Sequence, residues 1–225
     1  MTEIATRDEL DAGQRLRVTE IFYSVQGESR PTGLPTVFVR LTGCPLRCVF
    51  CDTAYAFHGG SWMTGEAILE QVQSYTTPQV CVTGGEPLAQ PNCRVLLTLL
   101  ADAGLSVSLE TSGALDISEL DPRVCVVMDV KTPGSGEVDK NRLENLPLLR
   151  PDDQVKFVIC DRADYEWSKA FCAEHAMLER CNILFSPSQG QLEARELAEW
   201  ILEDRLQVRF QVQLHKYLWG EEPGH

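Results

Sequence analysis

Three cysteines, Cys44, Cys48 and Cys51, fall within eight residues, with three residues in the first gap and two in the second. A loop with those gaps can wrap its sulfurs around one inorganic core, and thiolates are the soft ligands that zinc and iron–sulfur clusters select. A structural zinc would need a fourth protein ligand, for which the chain offers His58 or Cys81. A 4Fe-4S cluster held by three cysteines instead leaves one iron open, and an open metal position can bind and activate a further ligand. Thr83-Gly84-Gly85-Glu86-Pro87 supplies paired glycines that let backbone approach a ligand closely, and a carboxylate able to accept from an ammonium. Glu110-Thr111-Ser112-Gly113, Asp129-Val130-Lys131 and Ser186-Pro187-Ser188-Gln189 each bring short polar or charged groups that can hydrogen-bond ribose hydroxyls. Any one of these four segments alone could equally be a satisfied turn.

What must position them is a set of strands. Residues 17–23 alternate towards a strand after a polar start at 10–16, and 36–41 are dense in β-branched and aromatic side chains that lead into the cysteine loop. Residues 79–83, 105–109, 124–130, 154–159, 182–185 and 208–214 repeat that pattern, and the four polar segments follow strands within this series. Helical periodicity intervenes from Thr64, from Pro91 to a stop at Gly104, over about 163–178 and over 192–206. Strand and helix alternating in this way predict right-handed βαβ units and a parallel sheet, with functional loops gathered at the strands' C-terminal ends. Six or seven such steps are too few for a closed eight-stranded barrel. The expected fold is therefore α/β, a partial, splayed (β/α) barrel with parallel strands.

With 225 residues and no repeat or interdomain linker, the chain reads as a single domain, 1–225, with its core at about 18–220. A formal charge of −13 and a pI of about 4.7 work against nucleic-acid binding. No segment approaches the roughly 20 apolar residues of a membrane helix, and Met1-Thr2-Glu3-Ile4 carries acid where an export signal carries base, so a cytoplasmic protein is expected. Nine cysteines without such a signal argue for reduced thiols; Cys81, Cys93, Cys125, Cys160, Cys172 and Cys181, scattered through apolar runs, read mostly as small buried hydrophobes.

The Cys-x-x-x-Cys-x-x-Cys run, with Phe50 just before the third cysteine, and the Gly84-Gly85-Glu86 segment together resemble the radical S-adenosylmethionine (SAM) enzymes. Ser24-Val25-Gln26-Gly27-Glu28, Arg40, Cys51-Asp52-Thr53 and His215-Lys216-Tyr217-Leu218-Trp219-Gly220 narrow the likeness, over essentially 18–220, to the 7-carboxy-7-deazaguanine synthase family. That resemblance implies a carbon–nitrogen lyase that converts 6-carboxy-5,6,7,8-tetrahydropterin to 7-carboxy-7-deazaguanine with loss of ammonia, on the route to 7-deazapurines such as queuosine. It implies a 4Fe-4S cluster on Cys44, Cys48 and Cys51, S-adenosyl-L-methionine, and Mg2+ held by Thr53.

Cofactor contacts implied by the resemblance are Phe50 through its backbone, Gly85, Glu86 at the methionyl amino group, Glu110, Ser112, Asp129, Val130, Lys131, Ser186, Pro187, Ser188 and Gln189. Many relatives read Ser-Pro-Lys where this chain has Asp129-Val130-Lys131, so the lysine matches and the aspartate departs. Implied substrate contacts are Val25, Gln26, Gly27, Arg40, Thr83 and His215. A planar pterin with an anionic carboxylate needs amide-like groups and a cation, which Gln26, Gly27 and Arg40 provide. No side chain is assigned as an obligatory base, since the radical would be generated on SAM. A flavodoxin- or ferredoxin-like donor and a homodimer are implied, and the 220–225 tail is a candidate lid. Two rival readings are a radical-generating activase of a glycyl-radical enzyme and a zinc-stabilised binding module without catalysis.

Overall fold

The computed structural model describes residues 15–220 together with Glu222 and Gly224; Met1–Ile4 and most of the polar start lie outside the described residues, as does the rest of the tail. The described chain builds one nine-stranded sheet in the order β3-β1-β2-β4-β5-β6-β7-β8-β9. Its strands are β1 (Arg15–Val25), β2 (Pro35–Leu41), β3 (Ser61–Thr64), β4 (Gln79–Gly84), β5 (Ser106–Thr111), β6 (Cys125–Asp129), β7 (Gln154–Ile159), β8 (Asn182–Pro187) and β9 (Arg209–Phe210). From β2 to β9 every neighbouring pair is parallel and the spatial order follows the chain. The ends, β3 and β9, do not meet, which makes this the expected open (β/α) barrel.

Alternation along the strands divides the sheet into two chemical faces. Val37, Val39 and Leu41, then Val80 and Val82, Val107 and Leu109, Val126 and Met128, and Val155, Phe157 and Ile159 join one buried apolar core. Helices α1 (Gly65–Gln73), α2 (Cys93–Asp102), α3 (Arg162–Glu174), α4 (Met177–Arg180) and α5 (Ala194–Glu203) contribute Ile68, Val72, Leu96, Leu97, Leu100, Phe171, Met177, Leu197 and Ile201 to it. The intervening strand residues, Phe38, Arg40, Thr83, Glu110, Val127, Asp129, Lys156 and Val158, line a cavity on the other face. Helix α1 starts where Thr64 accepts from the Ala67 amide, an N-cap of the expected kind.

Four departures matter. Strands β1 and β3 are antiparallel additions at one edge, and β3 carries no alternation strong enough to reveal it in advance. The expected 163–178 helix breaks in two at Ala176, which sits at φ +49° between α3 and α4. The helix expected from Pro91 begins at Cys93. The strand expected over 208–214 is only Arg209–Phe210. Gln211 is buried with its amide bonded to Ser29 N, Ser29 O and Thr32 Oγ1, so this tertiary anchor pulls the chain off the sheet, and Leu214–Trp219 forms a short helix, α6.

Candidate active site

The cysteine loop leaves β2 at the C-terminal end of the parallel strands. Hydrogen bonds from three of its amides hold its shape: Gly43 N donates to Ala56 O at 2.8 Å, Arg47 N to Glu137 Oε1 at 2.5 Å and Val49 N to Ser135 O at 3.0 Å. Beneath it, Glu86 N donates to Gly43 O at 2.8 Å. A β-carbon on Gly85 would come within 2.3 Å of Gly43 O, so only glycine lets the two loops touch here. Burial pushes the Cys44 and Cys48 thiols up; for Cys48 the nearby Lys131 opposes that shift.

All three cysteines open onto one cavity of about 680 Å³. Its volume suits a small molecule and a nucleoside-sized cofactor together. The donor set fits a cluster better than a closed zinc. Neither His58 nor Cys81 joins the lining, and among the described residues no three His, Cys, Asp or Glu side chains converge on a point where one ion could sit. A cluster has no need of such convergence, because each sulfur binds a different iron. All nine cysteines are free, and of the other six, Cys81, Cys93, Cys160 and Cys172 are buried while Cys125 and Cys181 are partly so.

Charged groups of alternating sign run through the barrel interior. Glu28, in the loop between β1 and β2, pairs with Lys156 on β7, whose Nζ lies 3.5 Å from Asp129 Oδ2, itself 3.1 Å from Lys131 Nζ. Burial would raise the Glu28 pKa, yet the adjacent ammonium holds it below the usual value; burial would lower Lys156, and Glu28 and Asp129 push it well above its own. Nearby, Thr83 Oγ1 donates to Glu110 Oε2 at 3.1 Å and Gln26 Nε2 to Glu110 Oε1 at 3.5 Å. Arg40, the register partner of Thr83 on the adjacent strand β2, lines the same cavity with Phe22, Phe38 and Tyr55. Lys216 on α6 lies 2.8 Å from Asp52, and the ammonium outweighs burial to depress that carboxyl. Gly27 is packed so closely on α6 that a β-carbon would fall 2.1 Å from His215 Nδ1.

The structure brings most of the sequence-derived residues to this cavity: Val25, Gln26, Gly27, Arg40, Phe50, Thr53, Thr83, Gly85, Glu110, Ser112, Asp129, Lys131, Ser188, Gln189 and His215 line it with the cysteines. Glu86, Val130, Ser186 and Pro187 stand behind the wall. The Glu86 carboxylate accepts from Thr111 Oγ1, Ser112 N, Ser112 Oγ and Leu88 N, which locks the β4 and β5 loops together. His215 and Lys216 reach the cavity from a helix and not, as expected, from the end of a strand. Glu28, Asp52, Tyr55, Lys156 and Gln213 also line it without having been assigned a role. Lys156 had a signal: a charge inside the apolar run Gln154–Ile159 has to be paired if it is buried.

Residues 38–128 match the model of the Radical SAM superfamily. The 7-carboxy-7-deazaguanine synthase of Chlorobaculum tepidum is 47% identical over 210 residues, 92% of this chain and 96% of that protein. That of Koribacter versatilis is 40% identical over 92% of this chain and 98% of its own. The crystal structure of QueE from Escherichia coli superposes with a TM-score of 0.72 over 94% of this chain and 100% of that one, at 24% identity, and shares the fold. An open parallel barrel, three thiols on the loop after its first parallel strand and whole-chain relatives under one name lead to one conclusion: this chain belongs to the 7-carboxy-7-deazaguanine synthase family of radical SAM enzymes.

Proposed function

We propose that this chain converts 6-carboxy-5,6,7,8-tetrahydropterin to 7-carboxy-7-deazaguanine with loss of ammonia, in 7-deazapurine biosynthesis. The observation that carries the reading is the single cavity on the inner face of the sheet, where Cys44, Cys48 and Cys51 face Arg40, Thr83, Glu110 and Lys156. The whole-chain synthase relatives decide against the activase and zinc-module readings.

Cys44, Cys48 and Cys51 would hold the 4Fe-4S cluster. When bound, the cluster with SAM supplies one-electron reductive cleavage and hydrogen-atom abstraction, and Mg2+ supplies Lewis-acid polarisation. The chain's own residues bind, orient and exclude water. Lys131, Ser112, Glu110, Gly85, Phe50, Ser188, Gln189 and Asp129 form the cofactor wall, backed by Glu86, Val130, Ser186 and Pro187. Arg40 meets the substrate carboxylate, and Thr53 would hold Mg2+. Val25, Gln26, Gly27, Thr83 and His215 enclose the ring, whose amide edge needs both donors and acceptors. Holding both reactants in a buried cleft supplies proximity and protects a reactive species from solvent.

One radical SAM domain, with its core at about 18–220, accounts for the whole activity, with a flavodoxin- or ferredoxin-like protein as electron donor and a homodimer as the assembly. Among the described residues no helix is long and apolar enough to cross a membrane, and nine free cysteines suit a reducing cytoplasm. The test is an anaerobic assay with carboxytetrahydropterin, SAM, Mg2+ and reductant, read by product absorbance and mass. Formation of 7-carboxy-7-deazaguanine supports the reading; SAM cleavage without that product, whatever the reductant, overturns it.

A further inference from the structure

Strand β1 changes face half-way along. Leu16 and Val18 point into the helix-covered core, and simple alternation would send Glu20 and Phe22 after them. The pairing with β2 slips instead: Val18 lies opposite Leu41 but Glu20 lies opposite Arg40, so Thr19 is an extra residue, a β-bulge. Its hydroxyl is tied to Thr42 Oγ1 at 2.8 Å. Beyond the bulge Ile21 takes over packing on the core, and Phe22 turns to the cavity, where it stacks on Phe38 with ring centres 4.9 Å apart. Bulges of this kind re-aim side chains beside functional sites.

The side chain so re-aimed is a carboxylate. Glu20 Oε1 accepts from Arg40 Nε at 2.7 Å and from the Tyr55 hydroxyl at 2.8 Å. The Arg40 guanidinium lies 5.6 Å from the Phe22 ring centre and 5.9 Å from that of Tyr55. Among the described residues neither terminal nitrogen of Arg40 donates a hydrogen bond, so the end of the fork that suits a carboxylate is left for a ligand. An arginine stem has several rotatable bonds, and anchoring Nε removes most of that freedom before an anion arrives. Glu20 itself contributes no contact to the cavity lining.

We propose that Glu20, aimed by the Thr19 bulge, is a positioning residue: it orients Arg40 so that the guanidinium meets a planar, ring-borne carboxylate with two parallel hydrogen bonds. The inference rests on Arg40 as the partner of the substrate carboxylate. Glu20 acts against affinity through its charge, which repels the substrate anion, and in favour of it through geometry. The Arg40 side chain is only 13% exposed, and there the geometric effect wins, because a misdirected fork forfeits a charge-assisted hydrogen bond outright.

Glu20→Ala, Glu20→Gln, Arg40→Gln and the Glu20→Ala/Arg40→Gln double variant, each reconstituted anaerobically, test this in steady-state assays with iron content and melting temperature as controls. Glu20→Ala is expected to raise KM for carboxytetrahydropterin about tenfold, the size of one lost charge-assisted hydrogen bond, with a smaller change in kcat and unaltered iron content. Glu20→Gln, which keeps an acceptor in place, is expected to recover most of that loss. The double variant is expected to be no worse than Arg40→Gln, because Glu20 acts only through Arg40. If Arg40→Gln raises KM while Glu20→Ala does not, or if the two effects add, or if Glu20→Ala lowers iron content and Glu20→Gln restores nothing, the positioning role is wrong. If Arg40→Gln itself leaves KM unchanged, Arg40 is not the carboxylate's partner and the role of Glu20 falls with it.

Discussion

Lys216 Nζ lies 2.8 Å from Asp52 Oδ2, joining the last helix to the residue that follows the third cysteine. The same segment is tied at its other end, where Leu214 N donates to Gly27 O at 3.0 Å and Gln213 Nε2 to Glu28 Oε1 at 2.6 Å. Helix α6 is thus tied both to the β1–β2 loop and to the cysteine loop. Asp52→Asn should loosen it without unfolding the protein, since a partly exposed pair contributes only about 0.2–1 kcal/mol. Chymotryptic cleavage after Tyr217, already 84% exposed, should speed up several-fold while the melting temperature barely moves. Unchanged cleavage would show that α6 is held by other contacts.

Cys48→Ala should abolish the brown absorbance and the roughly four irons of an anaerobically reconstituted chain. Cys81→Ala should retain both, because Cys81 is fully buried on β4 and does not line the cavity. Equal loss in the two variants would move the cluster away from the cysteine loop.

Among the described residues Thr53 Oγ1 has only weak partners, Asp52 Oδ1 at 3.4 Å and Cys51 Sγ at 3.9 Å, which leaves its hydroxyl oxygen for a hard cation. Thr53→Ala should raise the Mg2+ concentration for half-maximal activity about tenfold or more. A magnesium titration identical to that of the parent chain would remove Thr53 from the ion's site.

Gly85→Ala places a methyl 2.3 Å from Gly43 O and 2.7 Å from the Cys44 β-carbon, contacts that only a backbone shift relieves. A stability loss of about 1–3 kcal/mol is expected by denaturant titration, as for other overpacked sites. Iron incorporation should fall with it, because the displaced segment carries Cys44.

The Glu28–Lys156 pair predicts a flat pH response with an acid limit. The folded Glu28 pKa lies below its ordinary 4.5, so its contribution is complete above 4.5 and lost as pH falls through the folded value. Lys156 is raised well above 10.5, so its contribution is complete below 10.5 and lost only as pH climbs past the folded value. Glu28→Gln leaves Lys156 with Asp129 as its ion-pair partner among the described residues, and should cost about 3 kcal/mol at neutral pH, the lower end for breaking a buried pair. Calorimetry should find that difference constant from pH 7 to 5 and shrinking below 4.5. A difference that grows on acidification would mean that Glu28 does not ionise normally in the fold.

The cysteine loop was legible in the chain because its pattern is local. Cys44, Cys48 and Cys51 carry their own geometry in their spacing, and Gly85 announces a close backbone approach that the structure locates against Gly43. The strand-and-helix alternation likewise announced the open parallel barrel, since seven of the nine strands run parallel in chain order. The 208–214 run misled for the opposite reason. Val208, Phe210, Val212 and Leu214 alternate as a strand should, but Gln211 finds its partners at Ser29 and Thr32, far away in sequence.

The sequence by itself determined which atoms could bind iron, where most of the strands and helices run, and to which family the chain is similar. Only the tertiary structure decided that Glu28, Lys156 and Asp129 meet inside the barrel, that α6 is tied to Gly27 and Asp52, and that Glu20 faces Arg40. Spacing along a chain sets geometry within a loop or along one strand. Contact across strands depends on register, and a single extra residue such as Thr19 reverses the face of everything that follows it.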